Sequence, residues 1–333
     1  MEGQQNGPIF IVGAPRSGTS LLRNMLNRHP DISMCRETGF FHYVYRRRRA
    51  FGDLSEPRNR RRLAQEYLSI QRIQRLRIDL SALRTKLLRE ATSYEAFFTA
   101  MLAFAAQAQG KARFGEKTPH TRFIETLWRW YPDATFIHLL RDPRDVVASL
   151  QRMPWASNSV IANARLWLQD NLRALRWRDH PRYLQVRYEK LVQDPEQHLR
   201  RVCAAIGAGY APCMLVPKPD PTADRPWFQR AEKPVTTDRL GQWSKQLPTT
   251  QVALIEWAIG SHFDTFEYSA SGAHPTRSEI VRGLTFQAFD SVRRWIGEFP
   301  GGWLYVTKST ELVREENAKD RFRFRHLVQQ TDS

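Results

Sequence analysis

The sequence has 333 residues, 41% of them hydrophobic, which allows one large domain or two with a sizeable core. Its formal net charge of +17 at pH 7, from 51 Lys and Arg against 34 Asp and Glu, favours anionic ligands or surfaces. Three cysteines without CxxC spacing indicate neither a disulfide scaffold nor a structural zinc site, and no apolar run approaches the ~18 residues of a membrane span.

The first predicted unit is a strand, a loop and a helix. The apolar run Ile9–Val12 predicts a short buried strand, glycine and proline interrupt it, and apolar residues return at helical spacing from Leu21. Unpaired N–H groups at such a helix start bind anions. The loop keeps the glycine spacing of the Walker motif GxxxxGK[ST], but Thr19 replaces its lysine and the cation is Arg16, inside the loop. We therefore expect a phosphate ligand that is not handled as a magnesium triphosphate.

The chain then alternates between strand-like and helical patterns. A second short strand is predicted at Ile32–Cys35, and residues 46–95 predict an Arg-rich helical insert. A strand at Thr135–Leu140 precedes a helix that opens at Asp142, and a further strand and helix follow in RYLQVRYEKL. This order predicts an α/β protein with a three-layer P-loop-like fold, in which helices flank a central parallel sheet. Ligands are expected at the carboxyl ends of the strands.

The core pattern ends near residue 270, so we expect a main domain over residues 1–270 and a C-terminal helical extension over 271–333. The extension contains an amphipathic helix, whose apolar face comprises Val281, Leu284, Ala288, Val292 and Trp295. We expect this helix to pack against the body of the protein or against a second copy in a homodimer. The start MEGQQNGPIF lacks a signal-peptide pattern, which predicts a cytoplasmic protein.

A second basic residue stands at a predicted strand end. Arg141 follows the strand TFIHLL, and Ser149 lies two turns into the next helix. Alone, Arg141 is more often a surface ion-pair partner of Asp142 or Asp145 than a ligand contact. Beside the first loop, however, the two residues suit a second phosphate on the same nucleotide.

Three stretches together resemble sulfotransferases that use 3′-phosphoadenosine 5′-phosphosulfate (PAPS). PRSGTSLL is similar to their 5′-phosphosulfate loop and LLRDPRDVVASL to their 3′-phosphate motif. RHPDISMCRETGFF resembles the segment after the first helix in bacterial and tyrosylprotein sulfotransferases. The resemblance covers roughly residues 8–45 and 112–268. It implies transfer of a sulfuryl group from PAPS to a hydroxyl of a small molecule, a carbohydrate, or a tyrosine or other phenol, with 3′-phosphoadenosine 5′-phosphate (PAP) as product.

The resemblance also implies roles for single residues. The implied nucleotide contacts belong to the first loop, the 3′-phosphate motif and a later tyrosine, namely Arg16, Ser17, Gly18, Thr19, Ser20, Arg141, Ser149 and Tyr188. Glu37 matches the general base of the tyrosylprotein group, Lys117 matches a lysine at the transferring group, and Arg16 acts on the bridging oxygen. Gln242 stands at a position that is often basic, which leaves Lys245 as the candidate for the closing contact.

Several alternatives stay open. Glu116, His42 and His120 are other candidate bases, and Glu37 could instead be an ion-pair partner of a neighbouring cation. A P-loop kinase would need the Walker lysine, which is absent. A basic nucleic-acid-binding protein would need a recognisable nucleic-acid-binding motif, which the sequence also lacks. We therefore expect a nucleotide donor and a hydroxyl acceptor as partners, without nucleic acid. No metal is expected, because the sequence motifs require none.

Overall fold

A computed structural model of the protein describes residues 7–118, 121–216 and 233–297. Its strands are, in chain order, β1 (Ile9–Val12), β2 (Ile32–Cys35), β3 (Arg113–Lys117), β4 (Thr135–Leu140) and β5 (Tyr183–Arg187). They form one parallel sheet in the order β2-β3-β1-β4-β5. The parallel α/β sheet is confirmed, and β1, β2 and β4 have the predicted bounds.

Helices connect the strands and extend the chain beyond the last one. They are α1 (Thr19–Asn27), α2 (Arg48–Phe51), α3 (Pro57–Leu68), α4 (Gln71–Gln74), α5 (Leu80–Glu90), α6 (Tyr94–Gln107), α7 (Ile124–Trp130), α8 (Pro143–Leu150), α9 (Val160–Leu175), α10 (Tyr188–Gln193), α11 (Pro195–Ala205), α12 (Trp243–Gln246), α13 (Thr249–Ile259), α14 (His262–Thr265) and α15 (Arg277–Gly297). Short helical turns of other types lie at Phe40–Val44, Tyr45–Arg47, Thr121–Phe123 and Pro212–Leu215.

At β1, β2 and β4 the sheet is buried on both faces, which explains why these strands are largely apolar. Along β1, Phe10 stacks with Phe98 of α6 and belongs to one apolar cluster with α3 and α5, whereas Ile9 and Ile11 belong to a second cluster with α1 and α11 on the opposite face. A third apolar cluster joins α8, α9 and α13 around the fully buried Trp167. These contacts confirm the predicted layers, with the Arg-rich helices α2 to α5 covering part of one face.

The C-terminal helix α15 packs on the body through a different face from the predicted one. Gly283 permits close approach, since a Cβ there would lie 2.8 Å from Ile161 Cδ1. The Asp290 carboxylate accepts a 2.6 Å hydrogen bond from Ser157 Oγ. The apolar face is exposed at Val281, Leu284 and Val292. The helix contacts the body through Ile280, Gly283 and polar side chains, and not through Val281, Leu284 and Val292; a homodimer stays a prediction.

Candidate active site

The predicted site residues meet at one edge of the sheet. Parallel strands bring their carboxyl ends to the same edge, where each strand contributes one candidate residue at or just after its end. In the order of the strands across the sheet, these residues are Glu37, Lys117, Arg16, Arg141 and Tyr188. The edge therefore has a carboxylate-containing half beside β2 and β3 and an arginine-rich half beside β1, β4 and β5.

The loop between β1 and α1 offers several hydrogen-bond donors. No side chain caps α1, and the N–H groups of Thr19 and Ser20 have no acceptor within the residues that the structure describes. Ser17 is fully buried, and its Oγ has no hydrogen-bond partner in that part of the chain either. Since an unpaired buried polar atom costs about 1–3 kcal/mol, this loop is better satisfied with an anion bound.

The Tyr188 ring packs directly against this loop. Gly18 has a left-handed φ of 96°, and an added Cβ would lie 2.4 Å from Tyr188 Cδ2. The Arg141 guanidinium carbon stands 4.2 Å above the centre of the same ring. The Tyr188 ring thus limits how closely the loop can approach β5 and also positions Arg141.

Direct hydrogen bonds join the two predicted phosphate motifs. Arg16 Nε donates to Ser149 Oγ at 3.0 Å, and Arg141 Nη1 donates to the Arg16 carbonyl at 3.3 Å. Arg141 Nη2 also lies 3.5 Å from the Asp145 carboxylate. Arg141 is therefore an ion-pair partner and a residue of the site at the same time. Its Nε is buried and has no hydrogen-bond partner among the described residues.

Two further arginines, which the sequence analysis missed, belong to this half of the site. The pKa of Arg16 is lowered to about 10, mainly by burial and also by the positive charges of Arg141, Arg152 and Arg239. Arg152 follows Ser149 by three residues and lies just past the end of α8, a spacing that could have suggested it. Four guanidinium groups that repel one another form an electrostatic site for a multiply charged anion.

Arg239 reaches the site through the late loop. Its carbonyl accepts a 2.7 Å hydrogen bond from Arg141 Nη2, and Asp145 accepts from the N–H groups of Gly241 and Trp243 at 3.1 and 2.9 Å. Arg239 Nε is buried without a hydrogen-bond partner in the described chain, and the Asp238 carboxylate is 3.9 Å away. By contrast, the predicted Lys245 is exposed on α12.

The other half of the site centres on Glu37 and Lys117. The Lys117 ammonium donates to the Glu37 carboxylate, and burial lowers the pKa of Lys117. Arg72, from α4 of the Arg-rich insert, lies 3.4 Å from the other carboxylate oxygen. The Glu37 side chain remains 29% exposed, so a ligand can reach it. No motif pointed to Arg72, because it lies in the part of the chain without a recognised pattern.

The alternative bases lie in different surroundings. Glu116 is buried, and its Oε1 accepts from the N–H and Oγ of Thr38 at 2.7 and 2.5 Å. Burial raises the pKa of Glu116 to about 7. His42 is exposed with its ring against Tyr43, and His120 lies outside the described residues. Glu37, by contrast, contacts Lys117 directly.

The family follows from a comparison with known proteins. The sequence model of the sulfotransferase family matches residues 8–212, which include both phosphate motifs, Glu37 and Lys117. The chain belongs to the sulfotransferase family. In the described ranges of this sulfotransferase-family chain, no three His, Cys, Asp or Glu side chains are grouped closely enough to hold a metal ion. None of its described helices is long and apolar enough to span a membrane.

Individual relatives match part of the chain. Nodulation protein NoeE of Sinorhizobium fredii is 31% identical over 236 residues, which are 62% of this chain and 51% of NoeE. Protein-tyrosine sulfotransferase 2 of Gallus gallus is 25% identical over 263 residues, which are 72% of this chain and 64% of that protein. This sulfotransferase-family chain thus spans about half the length of NoeE.

A solved structure supports the fold. The sulfotransferase domain from the Synechococcus PCC 7002 olefin synthase superposes with a TM-score of 0.53 and 23% sequence identity. The match covers 81% of this chain and 98% of that domain. The two proteins therefore share the same arrangement of sheet and helices.

Proposed function

We propose that the protein transfers a sulfuryl group from PAPS to an acceptor hydroxyl. The observation that carries this proposal is a set of buried donors without hydrogen-bond partners in the described residues, namely Ser17 Oγ, Arg141 Nε and Arg239 Nε. They accompany the unpaired N–H groups at the start of α1. A nucleotide with phosphate groups at both its 5′ and 3′ positions supplies acceptors for such a set.

The two phosphate positions would be held by different elements. We assign the 5′ side to the loop before α1, with Arg16 and the donors from Ser17 to Ser20. We assign the 3′-phosphate to Arg141 and Ser149, with Arg239 as a further cation and with the Tyr188 ring packed against Arg141. Arg239, whose side chain is partly exposed but whose Nε is buried, offers the positive charge that Gln242 lacks. Lys245 stays a prediction for the closing contact.

The chemistry divides between charge stabilisation and proton transfer. PAPS, when bound, supplies an activated sulfuryl group whose leaving group is the 5′-phosphate of PAP. Arg16 and Lys117 stabilise charge on the leaving oxygen and on the sulfuryl oxygens, as in phosphoryl transfer. Glu37 accepts the proton of the acceptor hydroxyl while that oxygen bonds to sulfur and the bond from sulfur to the 5′-phosphate oxygen breaks. Lys117 holds the carboxylate toward the reacting group.

An acceptor panel tests the proposal. The panel contains a phenol, an oligosaccharide and a tyrosine-containing peptide, each supplied with PAPS, and the peptide is included because a relative is named a protein-tyrosine sulfotransferase. We expect PAP to form in the presence of at least one acceptor. Thermal shifts add a binding test: PAP should stabilise the fold, whereas ATP with magnesium and an oligonucleotide should not. Stabilisation by ATP with magnesium alone would favour a kinase.

A further inference from the structure

The end of β3 contacts two consecutive residues of the segment after β2. Lys117 pairs with the side chain of Glu37, while Glu116 accepts the two hydrogen bonds that the N–H and hydroxyl of Thr38 donate. Neighbouring strand residues point to opposite faces, so the two contacts approach this segment from opposite sides. The pairing of β2 with β3 puts Cys35 beside Glu116 and leaves Glu37 and Thr38 just past the sheet.

Glu116 is a costly residue for the fold. It is 2% exposed, and the hydrogen bonds from Thr38 offset only part of the penalty for burying a carboxylate. Thr38 is equally buried at 1% exposure, and the Tyr67 hydroxyl lies 3.5 Å from its carbonyl. A buried carboxylate beside candidate catalytic residues is a candidate for a functional role.

We propose that Glu116 is a positioning residue for the base: it anchors the backbone at Thr38 and thereby keeps the Glu37 carboxylate beside Lys117. This inference rests on the proposed function, in which Glu37 is the base. The ion pairs with Lys117 and Arg72 act on the side chain of Glu37, whereas the hydrogen bonds from Thr38 to Glu116 fix the backbone next to it.

A role as the base itself fits Glu116 less well. Its Oε1 already accepts two hydrogen bonds, and the residue is almost inaccessible, whereas the Glu37 side chain is 29% exposed. The two roles predict different effects of glutamine. Glu116→Gln keeps a carbonyl acceptor for Thr38 but cannot take up a proton, so it preserves positioning and abolishes base catalysis.

Hydrogen exchange tests the anchor without any need for sulfuryl transfer. We expect backbone exchange of residues 36–40 to rise about tenfold in Glu116→Ala and to stay near the wild-type rate in Glu116→Gln. Thr38→Val removes one donor, keeps the side-chain shape, and should give an intermediate rise. The matched control is Asp170→Ala, which breaks another buried carboxylate–threonine pair, with Thr121, and should leave residues 36–40 unchanged.

Turnover with PAPS and an acceptor from the panel supplies the second readout. Glu116→Ala should lower kcat about tenfold while its PAP affinity stays within about twofold, and Glu116→Gln should restore kcat. The proposal would be overturned if the exchange rates of residues 36–40 were unchanged in both Glu116→Ala and Thr38→Val. If Glu116→Ala does not fold, an unchanged rate in Thr38→Val alone would overturn it. A kcat loss in Glu116→Gln as large as in Glu37→Gln would also overturn it and make Glu116 the base. If no acceptor is sulfated, the proposed function fails, and the exchange result still decides whether Glu116 anchors the segment.

Discussion

Replacing Arg141 with alanine should weaken binding of the 3′-phosphate more than binding of the rest of the nucleotide. The residue is 8% exposed, and its buried Nε has no hydrogen-bond partner in the described chain. Loss of a charge-assisted hydrogen bond costs about 1.5–3 kcal/mol, which corresponds to a 10- to 150-fold rise in the Kd for PAP. Adenosine 5′-phosphate lacks the 3′-phosphate, so its Kd should rise much less.

Calorimetric titration of wild type and variant with PAP and with adenosine 5′-phosphate measures this difference. Some loss is expected for both ligands, since Arg141 also bonds the Arg16 carbonyl and stacks on Tyr188. The matched control is Arg129→Ala, which removes the same charge from a side chain that is 70% exposed and paired with Glu125. Equal losses for the two ligands, or an unchanged PAP affinity, would refute the assignment of Arg141 to the 3′-phosphate.

Further variants test the base, the loop and the core. Glu37→Gln should bind PAP normally and lose about 100- to 10,000-fold in transfer rate, whereas His42→Ala should cost little; near-normal transfer by Glu37→Gln would move the base elsewhere. Gly18→Ala should weaken PAP binding in titrations, because its Cβ would meet the Tyr188 ring 2.4 Å away; normal affinity would contradict that packing. Burial lowers the pKa of His138 to about 4, against about 6.5 when unfolded, so the unfolded chain takes up this proton first as the pH falls. In urea unfolding at pH 7 and pH 5, the wild type should therefore lose roughly 2 kcal/mol more stability than His138→Gln over this pH range, and an equal pH dependence of the two proteins would contradict the burial of a neutral His138.

The sheet and the arginine-rich half of the site could be predicted because the sequence patterns that indicate them are local. Ile9–Val12 and Thr135–Leu140 are apolar runs that end at glycine or at a charged residue, and burial on both faces makes such runs read as strands. Parallel pairing then brings their carboxyl ends together, which explains the contact between Arg16 and Ser149 across 133 positions of sequence.

Residues that reach the site from segments without a motif could not be predicted. Arg72 is one of many arginines in the insert, and only the folded chain shows that it lies beside Glu37. Arg239 depends on a loop that Asp145 holds through backbone hydrogen bonds. For α15, periodicity indicated the apolar face, but only the folded chain shows that Ile280, Gly283 and Asp290 lie against the body.

The central claim is sulfuryl transfer from PAPS, and following labelled sulfur tests it most directly. PAPS that carries sulfur-35 is incubated with the protein, the acceptor panel and EDTA, and both the labelled acceptor and PAP are quantified. We predict that label and PAP appear in equal amounts and that EDTA has no effect, because the nucleotide contacts that we propose are arginine side chains and N–H donors. Absence of labelled acceptor, together with magnesium-dependent consumption of ATP, would contradict the account.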